Sequence, residues 1–168
     1  MIHSGIIYKE EQNPPLWFYL IFIAWLPIFL FFALENPDEI KNPDIIFLVV
    51  ILALIFELLI IGLIGKLTII VRWDKILVQV GFLKLIKREI KKSEIKQVRA
   101  IDGFSKMQYG IKIFGRTIAY IFWGKGAVEI ELNETKPNSL LSKLTTFNKI
   151  ILTSQNPNRL VEAIMSMS

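Results

Sequence analysis

The sequence predicts an α+β membrane protein: an N-terminal transmembrane helical hairpin, then an antiparallel β-barrel or sandwich capped by a C-terminal helix. Three observations lead there. Two long apolar stretches, residues 15–34 and 45–65, lie close together near the start of the chain. Beyond residue 67 the apolar pattern changes to period two and is punctuated by turn residues. The C-terminal end returns to helical spacing. Hydrophobic residues make up 53% of the 168 positions and mean hydropathy is +0.48, an excess concentrated in residues 15–67 rather than spread through one core.

Residues 15–34 read PLWFYLIFIAWLPIFLFFAL, with no charge. About 20 residues rising ~1.5 Å each cover the ~30 Å of a hydrocarbon core. Trp17 and Tyr19 fall near the start, where amphipathic aromatics favour the interface, and Pro27 should kink the helix or remove one backbone bond. A cleaved signal peptide is a poor fit: Glu10 and Glu11 precede the stretch, and no small-residue cleavage site follows it. The second stretch, residues 45–67, reads IIFLVVILALIFELLIIGLIGKL. Between them, residues 35–44 carry Asn-Pro-Asp twice, a turn-forming sequence too short for anything but an antiparallel hairpin. Lys41 is the one cation in that loop, whereas cations are dense after the second span. The positive-inside rule therefore predicts a multi-pass plasma-membrane protein with cytoplasmic termini. Its parts are a short lead (1–14), the hairpin (15–67, loop 35–44 outside) and a cytoplasmic domain (68–168).

In that domain KLTIIVRW (66–73) places Leu67, Ile69, Val71 and Trp73 on one face. Asp74-Lys75 turns the chain into a strand alternating through Ile76, Val78 and Val80. Further strands are expected at 83–90, 95–101, 109–114, 117–122, 127–132 and 148–153, with turns at Lys91–Glu94, Gly115-Arg116 and Gly124–Gly126. In AVEIEL, Val128, Ile130 and Leu132 point inward and Glu129 and Glu131 outward. Residues 133–147 form a polar loop, with a short helical turn at 139–144. Asn156 is a candidate N-cap and Pro157 a first helical residue, followed by an apolar stripe of Leu160, Val161, Ile164 and Met165.

This order of parts resembles the bacterial PH-like domain family, small membrane proteins with two spans and a pleckstrin-homology-like barrel. The likeness rests on LTIIVRWDKILVQVGF (67–82), KKSEIKQV (91–98), YGIKI with TIAYIFWGKGAVEIEL (109–132) and ILTSQNPNRLVEAI (151–164). It implies a PH-like fold, a membrane anchor and self-association. It carries over no catalytic residue.

The chain has no Cys, and its one His, His3, is at the N-terminus. Thiolate chemistry is excluded, and a His-dependent triad or metal centre lacks its imidazole. The expectation is a protein that is not an enzyme and needs no cofactor. Gly124-Lys125-Gly126 lacks the spacing of a phosphate loop. Glu129 and Glu131 read as a solvent face, and Tyr109, Tyr120, Phe122 and Trp123 as core and interface. From Lys66 onward there are 18 cations and 8 acids, a net +10 against +5 for the whole chain. The densest run, Lys84, Lys87, Arg88, Lys91, Lys92, Lys96 and Arg99, is the candidate contact for anionic headgroups, each worth about 1 kcal/mol near a charged leaflet. The same charges also serve as a topology signal. Membrane lipids, a second copy or another membrane protein are the expected partners; nucleic acid is not. Glu57, inside the second span, is either a polar contact within the membrane or part of an ion-coupled transport path. The leading function is a membrane-anchored interaction or scaffold module. Anionic-lipid binding and transport through Glu57 are the alternatives.

Overall fold

The computed structural model describes residues 5–35, 43–101, 109–133 and 147–167. The Asn-Pro-Asp turns fall largely outside these residues, as do the expected helical turn at 139–144 and most of the 133–147 loop.

The first element among the described residues is a strand, β1 (Ile6–Gln12), in the segment expected to be a short lead. Its buried positions are Glu10 and Gln12. The period-two signal is therefore carried by polar residues, which hydrophobic patterning does not detect. Two helices follow. α1 (Leu16–Glu35) runs through Pro27, and α2 is Pro43–Ile64. Within α2, Phe47–Ile64 is long and apolar enough to cross a membrane, and among the described residues it is the one helix that meets this criterion. That is one such span where the sequence suggested two. The chain then returns to strands: β2 (Leu67–Arg72), β3 (Lys75–Val80) and β4 (Ile86–Lys91).

β1 to β4 form an antiparallel sheet in sequence order. Gln12 sits opposite Leu67, so the start of α1 and the end of α2 meet at one end of this sheet. The helices are thus an insertion between two neighbouring strands. A 3-10 turn (Lys92–Glu94) leads to the second sheet: β5 (Ile95–Ile101), β6 (Gly110–Phe114), β7 (Thr117–Ile121), β8 (Gly126–Leu132) and β9 (Lys149–Ser154). Its order is β5-β8-β9-β7-β6.

One feature of this sheet departs from the expected all-antiparallel pattern: β7 and β9 pair in parallel. β9 lies between β7 and β8, so the turn at Gly124–Gly126 spans a strand instead of closing a tight hairpin. The Lys125 amide donates to the Ser154 carbonyl at 2.8 Å, which fixes this crossing.

The two sheets bury one core. Leu67, Ile69 and Val71 of β2 and Ile76, Val78 and Val80 of β3 meet Val128, Ile130, Ile150 and Leu152 of the second sheet. Trp73, expected on the inner face, is exposed beyond the end of β2. The closing helix, α3 (Pro157–Met165), begins with Pro157 at its first turn, but the Asn156 side chain makes no capping bond. Leu160, Ala163 and Ile164 fill the core while Met165 faces out, so the buried stripe is displaced slightly from the expected one.

Candidate functional site

One built region is the junction between the helices and the sheets. A helix leaves its last carbonyls without intrahelical partners, a costly condition away from water. At the end of α2, the Gly65 amide donates to Ile61 O (2.8 Å), the Leu83 amide to Gly62 O (3.1 Å) and the Tyr109 hydroxyl to Ile64 O (2.8 Å). The Gly81 amide donates to Lys66 O at 2.6 Å. Gly81 has φ +80°, and a Cβ there would lie 2.2 Å from Leu63 O, so this approach requires glycine. The connection from β3 to β4 is thereby laid along the last turn of α2.

At the start of α1, Trp17 and Phe18 pack edge-on to Trp123, with ring centroids 5.4 and 5.3 Å away. Tyr109 lies 4.7 Å from Trp123 and 5.4 Å from Phe18. Burial pushes the Tyr109 phenol up to about 12. Beside this cluster is a cleft of about 680 Å³ lined by Asn13, Trp17, Tyr109, Trp123, Lys125 and Gln155 among others. Tyr120 and Phe122 are core, as the sequence suggested, whereas Tyr109 and Trp123 join the helices to the second sheet.

The seven cations of the basic run do not form one patch. Lys84, at φ 52°, sits in the connection beside α2. β4 then carries Lys87, Arg88 and Lys91 away from it: Ile86 is opposite Val80, and Lys91 is opposite Lys75 at the far end. The four residue steps from Lys87 to Lys91, at ~3.4 Å each, spread them over roughly 14 Å. The Arg88 guanidinium lies 5.2 Å from the Phe147 ring centroid. The Lys92 ammonium donates to the Met167 carbonyl after α3. Lys96 pairs with Glu131 at 2.9 Å and Arg99 with Glu129 at 2.7 Å. Lys84, Lys87 and Lys91 are the exposed remainder.

The two glutamates of β8 are therefore not a plain solvent face. Glu129 is only 8% exposed and is held by both Arg99 and Lys149, the latter at 3.0 Å. The Lys96 ammonium holds the Glu131 carboxyl below the usual carboxylate range. Their cations come from β5 and β9, the strands flanking β8.

A second polar cluster escaped sequence reasoning. Glu10 is 7% exposed and its carboxylate accepts four hydrogen bonds. Oε1 accepts from Gln12 Nε2 (2.8 Å) and the Gln155 amide (2.7 Å); Oε2 accepts from the Tyr8 hydroxyl (2.7 Å) and Ser154 Oγ (2.6 Å). Gln12 also donates to Thr153 O (2.6 Å) and accepts from Thr153 Oγ1 (3.0 Å). This clasp fastens β1 of the first sheet to the end of β9 in the second. Burial and the neighbouring Glu10 carboxylate push the Tyr8 phenol up to about 12.

Glu57 is half-buried on α2, between exposed Phe56 and Leu58, and takes part in an interaction within the chain. Among the described residues no three His, Asp or Glu side chains converge as a metal site would require. Comparison with family models, curated proteins and solved structures gave no match.

Proposed function

We propose that this chain is a non-enzymatic, membrane-anchored interaction module of the PH-like kind that associates with copies of itself. α1 and α2 cross the bilayer as a hairpin, with both termini and the +10 β-domain on the cytoplasmic side. The pairing of β1 with β2 across the helical insertion supports this arrangement, because it holds the entry and exit of the hairpin at one level. The observation that carries the interaction reading is β6. It is an edge strand whose described neighbour is β7 alone, and Ile113 and Phe114 on it are 63% and 52% exposed. An apolar edge offers unpaired backbone groups and side chains to another strand.

The test is the association state of the full chain in lipid nanodiscs or mild detergent, by sedimentation and cross-linking. Oligomers weakened by Ile113→Lys or Phe114→Lys support the reading; a strict monomer with no co-purifying partner overturns it. Anionic-headgroup contact is the second reading, favoured by Lys84 standing beside the end of α2. It requires salt-sensitive attraction to anionic over neutral vesicles.

A further inference from the structure

We infer that the β3–β4 connection, Gly81-Phe82-Leu83-Lys84-Leu85, is itself inserted into the lipid interface, as a third membrane contact beside the two helices. The inference rests on reading α2 as a membrane span and adds a site to it. The position of the loop is set by hydrogen bonds. Gly62 belongs to the apolar stretch Phe47–Ile64, and its carbonyl accepts from the Leu83 amide, so the loop backbone lies level with the last turn of the span. A Cβ on Gly62 would be 3.4 Å from the Leu83 side chain, and one on Gly65 would be 3.0 Å from the Phe82 ring. Both residues therefore lie against α2.

The exposed side chains match that depth. Phe82, Leu83 and Leu85 are 45%, 54% and 69% exposed, three apolar groups in a row broken only by Lys84. A contiguous exposed apolar patch marks a contact with protein or membrane, and here the patch continues the lipid-facing surface of α2. Lys84 supplies the complementary element: a lysine between apolar neighbours lays its methylenes along them and raises its ammonium to the phosphates. The Lys66 ammonium, 5.8 Å from the Phe82 ring centroid, marks the same boundary from the helix side. Apolar anchors flanking a cation are the pattern of an interfacial segment and fit a phospholipid surface.

The absence of Cys from the sequence makes the test direct. Single cysteines replacing Leu85, Leu58 on α2 and Asp74 on the β2–β3 turn are spin-labelled in the full chain, in phospholipid nanodiscs. Collision with oxygen, which concentrates in lipid, is compared with collision with a water-soluble nickel chelate. The expected result is oxygen-favoured collision at Leu58 and Leu85 and chelate-favoured collision at Asp74. A chelate-accessible Leu85 beside a lipid-exposed Leu58 overturns the inference and leaves the span intact. Chelate access at both Leu58 and Leu85 overturns the span and the inference together.

Discussion

Replacing Glu10 should loosen the join between the two sheets, and the choice of replacement distinguishes the cause. In Glu10→Ala four donors lose their acceptor. Gln12 Nε2 and Ser154 Oγ are in buried contacts, while Tyr8 and the Gln155 amide are part-buried and regain water more easily. A buried donor left unmatched costs about 1–3 kcal/mol, partly offset because the carboxylate no longer has to be desolvated. The expected net loss is about 3 kcal/mol, a fall in Tm of roughly 6–12 °C for a chain of this size. Glu10→Gln should cost far less, about 1 kcal/mol. Its carbonyl oxygen can take the place of Oε1 before the two obligate N–H donors, and its NH2 can donate to the two hydroxyls, which rotate to accept. The assay is thermal unfolding of the full chain in detergent, followed by near-ultraviolet circular dichroism. A Glu10→Ala variant within about 0.5 kcal/mol of the parent, a typical surface-substitution effect, would refute the clasp. So would Glu10→Gln and Glu10→Ala losing stability equally.

Tyr8 and Tyr109 are raised to about 12 and burial also raises Tyr120, so their neutral forms are favoured in the folded chain. Their stabilisation is fully present below the unfolded tyrosine value near ~10 and is lost as pH rises toward ~12. Alkaline titration should show unfolding in that window, with a weaker pH dependence in Tyr8→Phe. The Lys66 and Lys9 ammonium groups hold Glu11 down to about 2. Its contribution is present above the ordinary carboxylate value and lost as pH falls from ~4.5 toward ~2. Because the side chain is one-third exposed, the effect is less than ~1 kcal/mol, and Glu11→Gln should flatten acid unfolding slightly. Gly81→Ala should cost about 2 kcal/mol or more, since it places a Cβ against the Leu63 carbonyl at a positive φ; an unchanged melting temperature would refute the close approach.

The sequence determined the local elements wherever side chains repeat with the period of the backbone. The alternation in Ile76–Val80 and in Val128–Leu132 and the helical spacing around Leu160 and Ile164 were legible because burial of one face dictates them, and the run of α2 because, Glu57 aside, it is apolar on every face over a long stretch. β1 was not legible, because its inward positions are Glu10 and Gln12, and much of their hydrogen bonding is with partners more than 140 residues away. The basic run was visible as composition, but its use was not. Charge density along a chain does not say which cations meet Glu129, Glu131 or the Met167 carbonyl. The insertion of β9 between β7 and β8, and the seating of the β3–β4 connection along α2, were likewise decided only by the tertiary structure. Both depend on hydrogen bonds between backbone groups of segments distant in sequence, and the glycine that the second requires, Gly81, does not by itself name the helix it approaches.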